Sequence, residues 1–212
     1  MRNDGDLAIA NELFLDHQYQ HCDEVIRQAD HSIVDIGGHL GFFTLYAHLL
    51  NDKVSIYVCE PHAGNYELLK QNLKENRVKN AHPKQLAVSN KAGEAVLLLS
   101  AEDLNHSLQK AIEPTGEVQK VQTTTLARIF EKNRIENCDL LKLDCEGAEY
   151  GIVESMTPEL AEKIENIFLE YHDWVPGGDS RKLQRDLEKL GYKVERYPNS
   201  KMKELGFLWC RR

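Results

Sequence analysis

Short apolar runs rich in β-branched residues alternate along this chain with stretches of helical period. SIVDIG from Ser32, VSIYVCE from Val54, LLKLDC from Leu140 and NIFLEYH from Asn166 read as strands, since near-continuous apolar runs bounded by turn residues suit a sheet buried on both faces. Between the first two, Leu40 to Leu50 fits a buried helix. Between the second and third, Asn65 to Asn76 sets Tyr66, Leu69 and Leu73 at helical spacing. The alternation predicts an α/β fold with a parallel sheet, covering helices and right-handed crossovers. Residues 92–123 break the rhythm: AVLLLS and VQKVQTTT, separated by a polar stretch with Pro114 and Gly116, predict an inserted hairpin or flap. Ser180 to Leu190 reads as an amphipathic helix, and GYKVERY and GFLWCRR as two closing strands turning at Pro198, Asn199 and Ser200, an antiparallel tail on the sheet. Residues 1–30 read as one or two covering helices, and with no repeat or linker in view residues 1–212 are expected to form a single domain.

The first strand ends in DIGGHLG, Asp35 to Gly41. Gly37, Gly38 and Gly41 allow a close approach of backbone to ligand at the carboxyl edge of the strand, where open α/β sheets bind. Asp35 would repel a pyrophosphate and attract an ammonium or sulfonium. The second strand ends in Glu60, followed by Pro61, at the place where an acid accepts hydrogen bonds from ribose hydroxyls. Together these describe S-adenosylmethionine, with its methionine end on the turn, ribose on Glu60 and adenine near QLAVSN, which contains Ala87 and Val88. Taken singly, the glycines also fit a ligand-free strand-to-helix turn, and Glu60 a solvated carboxylate.

Methyl transfer from a sulfonium is an in-line displacement, so the protein must align the nucleophile, exclude water and, for a hydroxyl, accept a proton. Asp144 and Glu146 end one strand, and Glu170 and His172 end another. His172 is the best-tuned base near neutrality by its ordinary pKa, against the alternative of a strand-end histidine satisfied by a neighbour. Asp144 and Glu146 also fit a capping or ion-pair role, because Glu146 and Glu149 lie at the start of a helix. Lys142, inside a central strand, needs a carboxylate partner; it shares a strand face with Asp144 and is expected to orient Asp144 or Glu146. His17 and His21 have the spacing of zinc ligands on one helical face but lack H-E-x-x-H, so a solvated face is the preferred reading. Asp144 and Glu170 offer hard oxygens for a divalent ion, but the favoured reading uses no metal.

Charge and cysteine content narrow the setting. Lys plus Arg total 26 against 34 Asp plus Glu, a formal charge of -8, which gives no general attraction to nucleic acid. Methylation of bases would also want an Asn/Asp-Pro-Pro-aromatic stretch where this chain has DCEG. Five cysteines without a C-x-x-C pair fit a reducing cytoplasm. The longest apolar run, LGFFTLYAHLL from Leu40, is too short to cross a bilayer, so no membrane partner and a cytoplasmic location are expected, and a homodimer is compatible with the chain.

VDIGGHLGFFTLYA, VCEPHAGNYELLKQNLKEN, LAVSNKAGEAVLL, NHSL, TTTLARIF and above all DLLKLDCEGAEYGIVES from Asp139 resemble the FkbM-type family of class I S-adenosylmethionine-dependent methyltransferases. The likeness runs over nearly the whole chain and is most specific in D-x-x-K-x-D-x-E-G-x-E. It implies a Rossmann-like α/β fold with helices on both faces of a seven-stranded, mostly parallel sheet containing one antiparallel strand. It also implies O-methylation of a hydroxyl on a small molecule, sugar or glycan. Where the family carries Gly-Ala-Asn this chain has Gly38 and then His39, so an imidazole replaces the amide contact to the methionine end or the contact is lost. The candidate cofactor contacts are Asp35, Gly37, Gly38, His39, Gly41 and Thr44 on the turn and its helix, Glu60 and Pro61, Ala87 and Val88, and Ser107 and Asp144. Asp144, Glu146 and His172 are the candidate catalytic groups. Two rival readings share the turn and the acid: an NAD-linked oxidoreductase, which Asp35 disfavours, and a catalytically silent S-adenosylmethionine-binding module.

Overall fold

The computed structural model describes residues 11, 13, 18–100, 106–110 and 114–212. A single 3-10 turn, Gln20–Cys22, leads into α1 (Asp23–Gln28), β1 (Ser32–Ile36), α2 (Phe42–Leu50), β2 (Ser55–Cys59), α3 (Ala63–Glu75) and β3 (Ala81–Lys84). Then follow β4 (Ala87–Val88), β5 (Gly93–Ser100), β6 (Pro114–Thr124), α4 (Leu126–Asn133), β7 (Cys138–Leu143), α5 (Glu149–Glu154), α6 (Pro158–Ala161), β8 (Ile164–His172), α7 (Ser180–Lys189), β9 (Lys193–Pro198) and β10 (Leu205–Arg211). The seven-stranded sheet has the order β3-β2-β1-β7-β8-β10-β9. Its strands are parallel except β10, which runs antiparallel to both β8 and β9. Of the covering segment expected over residues 1–30, half lies outside the described residues, as does His17; the His21 ring packs against Tyr197 at 4.5 Å between centroids.

The central strands are buried on both faces, so their side chains alternate between two cores. Val34 and Ile36 of β1, Leu141 and Leu143 of β7, and Ile167 and Leu169 of β8 enter one core with α4, α5 and α7. Ile33, Leu140 and Phe168 enter the other, with Phe43, Tyr46 and Trp209. Period-two alternation then fixes the face of every strand-end group. Asp35 follows Ile33, Lys142 and Asp144 follow Leu140, and Glu170 and His172 follow Phe168, so all five converge on the second face at the carboxyl edge of the sheet.

Two parts of the topology depart from what apolar patterning shows. β3 is AHPK, with little apolar content; Pro83 is tolerated because this is an edge strand, where a missing amide breaks no central ladder. Ala87–Val88 leaves the main sheet and pairs parallel to β6, which also pairs antiparallel with β5, giving a second, three-stranded sheet. Among the described residues no helix is long and apolar enough to cross a membrane.

The turn after β1 passes so close to β7 that only glycine fits. Gly37 has φ +82°, and a Cβ built there would lie 1.6 Å from the Asp144 carbonyl oxygen. Gly37→Ala is therefore expected to lower stability by about 3 kcal/mol or more, read from the midpoint of urea unfolding; an unchanged midpoint would show that the two strand ends can separate freely.

Candidate active site

Lys142 occupies the middle of the strand-end group. It is cross-strand neighbour to Asp35, and its Nζ lies 2.7 Å from the Gly37 carbonyl oxygen, 3.3 Å from Asp35 Oδ1 and 3.6 Å from Asp144 Oδ2. Burial alone would strip its proton, but the two carboxylates outweigh it and hold the pKa above the usual lysine value. Asp35 is wholly buried: Oδ2 accepts a hydrogen bond from Thr44 Oγ1 at 2.8 Å, and burial raises its pKa against the pull of Lys142. Thus Asp35 and Thr44 brace the turn from below and do not line the cavity above it. The direct attraction of a cationic ligand to Asp35, expected from its charge, is corrected by this geometry, since Lys142 already neutralises it.

The amides of the glycine turn are likewise engaged within the protein. Gly37 and Gly38 both donate to the Cys59 carbonyl at 3.0 Å, and Gly41 donates to Gly38. His39, at φ +47°, donates its backbone N–H to Glu60 Oε2 at 2.8 Å, and His62 donates to Glu60 Oε1 at 2.8 Å. Glu60 therefore ties the first turn to the second strand end. Burial pushes its pKa up to about 7 despite these two amide donors. Gly41 stands off the cavity as the left-handed N-cap of α2, packed against Leu69.

The opposite wall is built by the loop after β7. Glu149, completely buried, accepts from the Cys145 amide at 2.7 Å and the Gly147 amide at 2.8 Å, and takes a bond from His172 Nδ1 at 3.1 Å. The Nε2 of His172 then faces Glu146 Oε2 at 3.6 Å and Asp144 Oδ1 at 3.9 Å. Burial opposes the charge on His172, but Glu149 and Glu146 prevail and hold its pKa well above the usual value. The sequence-based reading took His172 as the base; in the fold its Nδ1 is engaged by Glu149, and the surrounding acids favour its charged form. Burial raises Glu146 to about 8 and lifts Glu170 well above the carboxylate range. Sequence reasoning set Glu149 aside as a helix-start charge; the D-x-E-G-x-E pattern was the signal for it.

Ser107 is also placed differently from the cofactor contact proposed for it. It is fully buried, is not part of the cavity lining, and donates its hydroxyl to the Glu146 carbonyl at 2.6 Å. The cavity itself has a volume of about 310 Å³. It gathers Gly37, Gly38, His39, Glu60 and Pro61 with apolar Ala87, Val88 and Leu97, and with Lys142, Asp144, Glu146, Glu170 and His172. Asp144, Glu149 and His172 offer atoms within 4.8 Å of one another, a metal-like grouping, but the two Glu149 oxygens already serve Cys145, Gly147 and His172.

A parallel sheet in this order with one antiparallel strand, opening a cavity over glycines, a strand-end acid and an acidic wall, defines the class of S-adenosylmethionine-dependent methyltransferases. The family model described as the Methyltransferase FkbM domain matches residues 35–194, so the chain belongs to the FkbM methyltransferase family, and S-adenosylmethionine is its cofactor. Membership also decides against the oxidoreductase. Methyltransferase 1 of Beauveria bassiana (strain ARSEF 2860) is 26% identical over 206 residues, covering 88% of this chain and 80% of that one. The 31-O-demethyl-FK506 methyltransferase FkbM of Streptomyces tacrolimicus is 25% identical over 192 residues, covering 76% and 73%. In fold the chain is similar to Methyltransferase FkbM from Methylobacillus flagellatus KT, with TM-score 0.59 and 13% identity, over 85% of this chain. It spans only 43% of that longer chain. It is also similar to magnesium protoporphyrin IX methyltransferase from Synechocystis PCC 6803 with bound SAM, with TM-score 0.57 and 10% identity over 98% of this chain and 82% of that one.

Removing the Lys142 charge leaves Asp35 buried and uncompensated. Lys142→Met is expected to cost about 3–5 kcal/mol in urea unfolding, with most of the loss recovered in the Asp35→Asn/Lys142→Met double variant. Wild-type stability in the single variant would contradict the central role of the pair.

Proposed function

We propose that the protein transfers the methyl group of S-adenosylmethionine to a hydroxyl oxygen of a small molecule, sugar or glycan, with no metal and no nucleic acid involved. The reading rests on the Glu146–His172 pair, a carboxylate and an imidazole 3.6 Å apart that both line the cavity. Attack by a hydroxyl on a methyl group leaves a proton to be removed, and this pair can receive it. The name of the Streptomyces tacrolimicus relative, with its 31-O-demethyl compound, points the same way.

The lining suits the cofactor. Glu60 presents an acid at the β2 end for ribose hydroxyls, Ala87, Val88 and Leu97 form an apolar bed for adenine, and Gly37, Gly38 and His39 border the methionine end. When bound, S-adenosylmethionine supplies a methyl group activated by its sulfonium. The chain supplies the rest. Glu146 is the proton acceptor: its Oε2 is buried with no hydrogen-bond partner among the described residues, and its turn is tethered through the Glu149 bond to the Gly147 amide. His172, oriented by Glu149, faces the carboxylate with a positive charge that stabilises it when ionised. Asp144, whose side chain is 27% exposed and flanked by Lys142 and His172, accepts a hydrogen bond from the acceptor hydroxyl and orients it. Trp174 and Leu205 complete the wall that excludes water.

The active form carries Glu146 ionised, so turnover rises with pH through about 8. Transfer of labelled methyl from S-adenosylmethionine to a panel of hydroxyl and amine compounds is expected to favour hydroxyls. In Glu146→Gln the rising limb should vanish, with kcat lower by roughly 10²–10⁴-fold. Transfer to amines alone, or a Glu146→Gln variant with the wild-type pH profile, would refute the assignment. Binding of S-adenosylhomocysteine without turnover on any acceptor would favour the silent module.

A further inference from the structure

The Glu146–Gly147 turn is strained. Glu146 has φ +53° and Gly147 φ +103°, and a side chain at Gly147 would meet Val175 at 2.5 Å. A non-glycine residue persists in the left-handed region only where its surroundings over-determine it. Glu149 holds the amide side of this turn. Its carbonyl side is held by residues 106–110, which lie between β5 and β6.

Ser107 Oγ donates to the Glu146 carbonyl at 2.6 Å and itself accepts from the amides of Gln109 and Lys110, at 3.0 and 3.1 Å. Gln109 Nε2 donates to the Gly147 carbonyl at 2.7 Å. The segment is anchored in turn to β5, where Leu98 and Ser107 exchange backbone bonds of 2.8 and 3.1 Å. On β6, Gln119 bonds the Pro61 carbonyl and the Ala63 amide, both at 3.2 Å. The second sheet thus reaches the strand-end loops on both sides of the cavity.

We infer that residues 106–110 hold the Glu146–Gly147 turn in its working geometry, and that Ser107 is a positioning residue for the Glu146 carboxylate and not a cofactor contact. The hydroxyl of Ser107 is the only side-chain atom among the described residues seen to bond the Glu146 carbonyl, and it is saturated by two further amides, which fixes its direction. Without it the backbone at Glu146 can relax out of the left-handed region, carrying the carboxylate away from His172.

The inference rests on the reading of Glu146 as proton acceptor, but its test needs no methyl acceptor, so it stands or falls separately from the choice of hydroxyl substrate. Hydrogen–deuterium exchange of the full chain would be compared in wild type, Ser107→Ala and Gln109→Ala; Gln109 is exposed, which protects that variant's folding. Exchange at the Cys145 and Gly147 amides should quicken by about ten-fold while that at Leu141 in β7 stays unchanged. Affinity for S-adenosylhomocysteine by calorimetry should stay within about three-fold, since no cofactor contact is removed. The NMR titration midpoint of His172 should fall in Ser107→Ala, because Glu146 is one of the four carboxylates, with Asp144, Glu149 and Glu170, acting on it. Wild-type exchange at Cys145 and Gly147 in both variants would overturn the inference. So would a loss of S-adenosylhomocysteine affinity beyond about ten-fold in Ser107→Ala with exchange at Leu141 unchanged, which would make Ser107 a cofactor contact.

Discussion

A single buried ammonium organises the carboxyl edge of the sheet. Lys142 on β7 reaches Asp35 on β1, the Gly37 carbonyl in the first turn and Asp144 at its own strand end. A charge in this position is tolerable only if its partners are close and hydrogen-bonded, and removing any one of them exposes the desolvation cost of the others. The constraint runs both ways. Asp35 can remain buried because Lys142 is there, and the glycine turn can approach β7 because Gly37 has no side chain and its carbonyl has a donor. The shape of the cavity floor follows from this pair before any ligand is considered.

A second, smaller constraint shapes the chemical wall. Glu149 receives two backbone amides and the His172 imidazole, and so converts a helix-start carboxylate into the keystone of the loop after β7. With Nδ1 engaged, His172 can turn only Nε2 toward the cavity. The imidazole is then surrounded by Glu149, Glu146 and Asp144, which favour its charged form. Burial, with the same crowding of acids, keeps Glu146 and Glu170 above the ordinary carboxylate range. Proton affinity in this corner belongs to the group of residues and to no single member of it.

The class of the fold and the family follow from separate observations that agree. Strand order and the position of the cavity define a sheet that binds at its carboxyl edge, and the family match over residues 35–194 begins at Asp35, on the turn itself. The structural neighbours share little sequence, so they speak for the architecture. The acidic corner belongs to this chain's own geometry, and it supports the proposed hydroxyl methylation.

How much was legible beforehand divides along a physical line. The four buried strands, the helices between them and the closing antiparallel pair were readable because burial imprints a local period on the sequence. The same alternation set Asp35, Lys142, Asp144, Glu170 and His172 on one face. β3 escaped because an edge strand needs no apolar period, and its AHPK carries none. What no window of sequence contains is a partner. Lys142 meets Gly37 across 105 positions, and Ser107 meets Glu146 across 39. Only the folded sheet could therefore decide that Asp35 braces the turn from below, that Ser107 supports a strained loop, and that His172 is oriented by Glu149. A side chain's face is set by its own strand, whereas its charge state and its role are set by neighbours that the chain brings together only when folded.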